Sequence, residues 1–476
     1  MNNNIVQGIA TVVGIGALLL GVGYVANLQG SNTIVLTEQG FSPREITITL
    51  GETVTFINKR DKFFWPASDF HPTHTAYAEF DASAGHSPGS SWKFTFTESG
   101  LFKYHDHLAP FFFGIIQVKN EEGEIVDRCE DRGGDLACWQ DQIFIALAEK
   151  GISGAYDMIS KLYESQPTFA QSCHFIAHNI GLASYGFYRE NPQSVMSPKA
   201  STCASGFYHG FMEAYLGATG DVAKASATCD EIGSVLSLSA PDARFQCYHG
   251  IGHGTLEQSI GGKGTFGNLN DMVNGALLQC EEASQGEEER FRCASGIFNG
   301  IANFYINGEY GLDPFKENPL RLCARQKGIY QEACYGNMNS VLYWMTDNNF
   351  VEATRRALDG VNDSQVDTVV TYLAGLYAFD SLPSINTKEV LERCRELAPH
   401  TLLCIEGFTH GLLEHGPPET EYETALTFCS YIGFSPDERN TCYSEALSEL
   451  PGWYSAEKTQ EICNNLTPNL QHYCKE

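Results

Sequence analysis

Three stretches of this chain read Cys-x-x-Gly-h-x-His-Gly-h-x-Glu, where h is apolar apart from Thr255 in the second copy: Cys203 to Glu213, Cys247 to Glu257 and Cys404 to Glu414. A fourth, Cys293 to Asn303, carries Asn299 and Asn303 in place of the His and the Glu. A motif that returns about every forty residues restricts the fold to an array in which each helical hairpin buries its apolar face against its neighbours. At about 100° per residue, the Cys and both glycines share one helix face, while the His and Glu share the adjoining one. Each glycine disfavours a helix by about 1 kcal/mol relative to Ala, so two per helix need a structural reason. Close approach of neighbouring helices at small residues supplies it.

The cysteines mark the same array. Sixteen are spread in successive pairs, seven of them close in sequence: Cys129/Cys138, Cys229/Cys247, Cys280/Cys293, Cys323/Cys334, Cys394/Cys404, Cys429/Cys442 and Cys463/Cys474. Cys173/Cys203 is wider, and a Cys-less helix near Val369 to Phe379 fills the gap between Cys334 and Cys404. No C-x-x-C occurs, which argues against zinc ribbons and redox dithiols. Each disulfide is expected to tie the end of one helix to the start of the next. Such bridges persist in oxidising compartments, so the bulk of the chain is expected outside the cytoplasm, at the cell surface or in a periplasm.

Ile5 to Ala26 is an apolar, uncharged run about as long as a bilayer is thick. A cleaved signal peptide is the alternative, but Lys and Arg are missing before the run and no small-x-small cleavage site follows. An uncleaved membrane anchor over residues 1–30 is the expectation. A formal net charge of −28 argues against nucleic acid as a partner.

Residues 31–120 follow strand grammar. Thr33 to Thr37, Ile46 to Leu50, Thr53 to Asn58, Trp92 to Thr97, Phe102 to His105 and Phe113 to Lys119 are β-rich, with Gly40, Pro43, Gly51, Pro88-Gly89, Gly100 and Pro110 between them. This spacing predicts a β-sandwich whose core takes Val54, Phe56, Phe94 and Phe96. In a strand, His105-Asp106-His107 places both imidazoles on one face. His71 and His74 lie in an upstream loop of the same small domain. Residues 121–476 then form an all-α, disulfide-stapled repeat domain.

The order Gly40-Phe-Ser-Pro to Asn58, Pro88-Gly-Ser-Ser-Trp-Lys-Phe-Thr-Phe96 and Gly100-Leu-Phe-Lys-Tyr104 resembles the cupredoxin family over roughly a fifth of the chain. The resemblance implies a copper-binding sandwich. Family members bind copper through a His near the Asn-bearing strand end and a Cys, a His and a Met on the last loop. Aligned from Tyr104 to Gly114, this chain has Asp106, Ala109 and Phe112 at those loop positions, and no Cys precedes Cys129. A blue thiolate centre therefore cannot form.

Two readings of the four histidines stay open. In one, His71, His74, His105 and His107 build a thiolate-free metal site, with Asp106 as a further ligand or a supporting group. Imidazoles suit Cu(II), and also zinc or nickel. In the other, the rings are surface or packing residues. His86, beside the Pro88-Gly89 turn, is a weaker candidate.

The repeats offer a second candidate set: His209 and Glu213, His253 and Glu257, His410 and Glu414. If the array curves, these pairs line its concave side. Cys173-His174-Phe-Ile-Ala-His178 adds two imidazoles on one helix face, and His249 lies close to the His253 face. Iron, zinc or copper would suit such ligands. Structural hydrogen bonding by the same side chains is the competing account. No nucleophile elbow, phosphate loop, H-E-x-x-H or Rossmann fingerprint is found.

The leading expectation is therefore a membrane-anchored, extracytoplasmic copper-binding protein. A metal-dependent oxidase or hydrolase built on the repeats is the alternative. A non-catalytic scaffold that holds a protein partner on the repeat surface is a third reading.

Overall fold

The computed structural model describes residues 32–69, 74, 76–125, 136–166, 168–261, 269–382 and 384–474. The anchor expected over residues 1–30 lies outside them, as do His71 and Cys129. Among the described residues no helix is long and apolar enough to cross a membrane. The chain divides into two compact units, one dominated by strands and one by helices.

The first unit has eight strands: β1 (Thr33–Thr37), β2 (Gly40–Ser42), β3 (Glu45–Thr49), β4 (Thr53–Asn58), β5 (Pro66–Ser68), β6 (Ser91–Thr95), β7 (Gly100–Asp106) and β8 (Ala109–Lys119). They form two four-stranded sheets, ordered β2-β1-β4-β6 and β3-β8-β7-β5. In β4 the buried and part-exposed residues alternate, which sends Val54 and Phe56 inward. Phe56 meets Tyr104 of the other sheet edge-on at 5.3 Å, and Phe80 stacks on Trp92 and Phe94. Phe96 is buried with them, whereas Phe94 is only half-buried. Beyond the expected strands, the structure adds β2 and β5, each too short to show an alternation.

The second unit is all-α. Its longer helices are α1 (Leu136–Ser165), α2 (Ala170–Glu190), α3 (Gly206–Thr219), α5 (Ala243–Gly261), α7 (Glu287–Asn307), α8 (Ile329–Met345), α10 (Val366–Ser381), α12 (Thr401–His415) and α14 (Pro436–Ser448). Between and after them stand α4 (Val222–Leu236), α6 (Leu269–Ala283), α9 (Phe350–Leu358), α11 (Thr387–Arg395), α13 (Glu421–Cys429), α15 (Leu450–Trp453) and α16 (Ala456–Asn465). From α2 to α14 the longer helices pack in succession, and glycines, most of them from the motif, make several of the joints. A Cβ on Gly210 would lie 2.0 Å from the His178 carbonyl oxygen, and one on Gly252 would lie 2.0 Å from that of Cys293. One on Gly407 would lie 2.3 Å from the Thr371 oxygen. Backbone thus meets backbone at these three joints.

Seven disulfides are present among the described residues, all joining the pairs expected from spacing. Cys229–Cys247 ties α4 to α5, Cys280–Cys293 ties α6 to α7, and Cys394–Cys404 ties α11 to α12. The helical motif needs one correction. Cys203, Ala204 and Ser205 form a left-handed turn, and α3 begins only at Gly206. Cys203 therefore does not share a helix face with its glycines, as Cys247, Cys293 and Cys404 do.

The array also curves. The Tyr163 hydroxyl donates to the His415 carbonyl at 3.3 Å, and Gln171 Nε2 donates to Leu382 O at 3.4 Å. The first helices of the unit thereby touch segments more than two hundred residues downstream.

Candidate metal centres

In the β unit, β5 pairs antiparallel with β7, and His107 N donates to Trp65 O at 2.7 Å. These contacts hold the end of β7 against the loop that carries His74. Ser68 Oγ, buried, reaches the carbonyls of His74 and Tyr77 at 2.9 and 3.0 Å and pins that loop. The result brings His74, His105 and His107 together, one nitrogen from each lying within 4.8 Å of the others. His74 Nε2 stands 3.0 Å from His107 Nδ1. Trp65 lies over the His107 ring at 4.3 Å.

Each of two rings carries a carboxylate on its far nitrogen. His74 Nδ1 is 2.9 Å from Asp81 Oδ2, and His105 Nδ1 is 3.3 Å from Asp69 Oδ1. Trp65 Nε1 donates to Asp81 Oδ1 at 2.5 Å, and Lys103 Nζ lies 3.1 Å from Asp69 Oδ2. A metal-binding imidazole ordinarily has such a partner, which fixes its tautomer and turns the opposite nitrogen toward the ion. Burial, reinforced by His105, lowers the His74 pKa; burial with His74 and His105 brings His107 down to about 3. Burial would raise Asp69, but Lys103 and His105 outweigh it and hold the carboxyl well below its usual range. The site thus combines two rings on which burial disfavours a proton, His74 and His107, with anionic supports.

Asp106 is neither a ligand nor a support of this centre. It faces the other way, accepting from the Trp65 and Leu108 amides at 2.8 and 3.3 Å and from Arg60 Nη1 at 3.3 Å. The strand alternation that unites His105 with His107 is what turns Asp106 from them. His86 also stands apart, forming a backbone bridge to Phe64. Asp69 and Asp81 were not legible as partners, since nothing in their spacing marks them.

The helical unit holds a second group. His209 on α3 and His249 and His253 on α5 each place a ring nitrogen within 4.8 Å of the others. His249 Nε2 and His253 Nε2 are 3.2 Å apart. The His209 ring stacks on His249 at 4.4 Å and on His253 at 5.2 Å. Glu213 does not pair with His209 on its own helix; its Oε1 lies 3.1 Å from His178 Nε2 and 3.5 Å from His253 Nδ1. His174 Nδ1 sits 3.1 Å from the Cys203 carbonyl. Burial first, then the neighbouring imidazoles, pushes His209 and His249 well below the ordinary range and His253 to about 3.

The third sequence pair is not part of this group. His410 Nδ1 pairs with Glu445 of α14 at 2.9 Å, and Glu414 lies beside His415. Glu257 is likewise outside the converging set among the described residues.

No family model matches this chain, and no curated protein does. Among solved structures it is similar to a purple cupredoxin from Nitrosopumilus maritimus, 22% identical, with a TM-score of 0.17, over 18% of this chain and 98% of that one. It is also similar to a reduced and an oxidised variant of amicyanin. Both are 22% identical, with a TM-score of 0.17, over 19% of this chain and 83% of theirs. A likeness this slight carries no functional assignment.

Proposed function

We propose that this is a metal-binding protein whose β unit holds one copper ion on His74, His105 and His107 in a centre without thiolate. The observation that supports it is the convergence of three buried or half-buried imidazoles, two of them backed by carboxylates. Their 3.0 Å nitrogen separation is close to the edge of about 3.3 Å that two nitrogens span on a tetrahedral ion with bonds of about 2.05 Å. His71 belongs to the proposed ligand set by sequence and lies outside the described residues.

The donor set does not fit a blue centre. Asp106 is committed to Arg60, and neither Ala109 nor Phe112 offers a ligand atom. It does fit imidazole-bound Cu(II), with zinc as the competing ion. The disulfides support an extracytoplasmic setting, in which the apolar run Ile5 to Ala26 would act as the anchor.

The test loads the full chain with Cu(II), removes unbound metal and compares it with the His105→Ala/His107→Ala variant. One equivalent should be lost in the variant, and the intact protein should show no intense blue band. Equal copper in the two proteins would sink this assignment.

A further inference from the structure

A histidine buried for structural reasons bonds something. His174 does so through the Cys203 carbonyl, and His178 does so through Glu213. His209 does not. It is 5% exposed, and neither of its ring nitrogens has a hydrogen-bond partner among the described residues. Buried polar atoms are almost always satisfied, and an ion is one of the few things that explains an exception.

We propose that His209, His249 and His253 form a second metal site, for a divalent cation of the zinc class, within the helical unit. His249 and His253 are one turn apart on α5, and their Nε2 atoms are separated by 3.2 Å. That is within a tenth or so of the edge of about 3.3 Å expected between two nitrogens on a tetrahedral zinc. His209 enters from the adjacent helix and completes a three-nitrogen face. The contact of Gly250 and Gly254 with the backbone and side chains of α3 fixes the distance between the two helices.

Glu213 supplies the support. Its Oε1 lies 3.5 Å from Nδ1 of His253, where the negative charge favours a proton on Nδ1 and leaves Nε2 to bind. His178 holds the same carboxylate oxygen from the α2 side. Glu213 therefore orients an imidazole on a neighbouring helix and does not pair with His209 of its own helix. Three neutral nitrogens without thiolate suit zinc, cobalt, nickel or copper in the divalent state. The copy on α7 carries Asn299 at the corresponding position and contributes no imidazole, which confines the site to α3 and α5.

The experiment uses the full chain carrying His105→Ala/His107→Ala, so that the first centre is silent. It is incubated with Zn(II), or with Co(II) as a spectroscopic probe, then freed of excess metal and assayed. One equivalent should remain, with the visible bands of low-coordinate cobalt. Adding His209→Ala should remove at least nine-tenths of it, while adding His410→Ala should leave it unchanged. His249→Gln, at a half-buried position, serves as the second variant if His209→Ala does not fold. Absence of bound metal in the double-variant background would overturn the proposal. So would full retention in a folded His209→Ala or His249→Gln protein. Because the first centre is absent throughout, neither result bears on the β-unit assignment.

Discussion

Asp81 Oδ2 and His74 Nδ1 lie 2.9 Å apart, and Trp65 holds the other oxygen of the same carboxylate. The proton on His74 is thereby kept on the nitrogen away from His105 and His107. Nε2 is then ready to bind without any rearrangement.

Replacing that carboxylate tests the support separately from the ligands. Asp81→Asn keeps the size of the side chain and should weaken copper binding at the β-unit centre about 10- to 100-fold. Competition titration against a chelator of known affinity reads the change. An unaltered affinity would mean that Asp81 only braces the loop.

The glycine joints make a paired stability prediction. Gly210→Ala places a methyl 2.0 Å from the His178 carbonyl oxygen, where the obstacle is backbone. It should cost about 3 kcal/mol or more. Gly186, exposed on the helix next door, meets nothing within 4 Å, so Gly186→Ala should stabilise by about 1 kcal/mol. Urea midpoints of the two variants should move in opposite directions.

Glu421 gives a pH dependence. Burial raises its carboxyl to about 7, against the bond donated by the Tyr454 hydroxyl at 2.5 Å. Between the ordinary 4.5 and about 7, the folded chain keeps a proton that the unfolded chain has released. Stability from this group is therefore full below the lower value and falls as pH rises through the upper one, by about 3 kcal/mol at most. Thermal melts from about pH 5 to pH 8 should show that decline, and Glu421→Gln should flatten it. Parallel curves for the two proteins would assign the proton elsewhere.

The disulfides can be removed one at a time. Cys229→Ala/Cys247→Ala opens a loop of 18 residues and should lower stability by about 3 kcal/mol. The change would appear as a lower melting temperature with the far-ultraviolet spectrum unchanged. A variant with the melting temperature of the parent would show that packing without the bridge holds α4 against α5.

Much of this architecture is written locally. The alternation in Thr53 to Asn58, the glycines and prolines between strands, and the spacing of cysteines each express a contact between near neighbours in the chain. His105 and His107 were readable as a pair for the same reason. What escaped depends on distant segments. Glu213 pairs with rings on α2 and α5, and His410 turns to Glu445 on the next repeat. A spacing of four within one helix does not reveal which neighbour a side chain will meet. The left-handed turn at Cys203 to Ser205 is equally silent, since none of its residues is a glycine.

The glycine joints carry a further consequence. Because main chain rests on main chain between α2, α3, α5 and α7, the pitch from one inner position to the next does not depend on which side chains stand there. The inner face is in effect a grid of fixed spacing whose chemistry can be rewritten one residue at a time. Asn299 and Asn303 are one such rewriting: the lattice point survives with the imidazole and the carboxylate exchanged for amides.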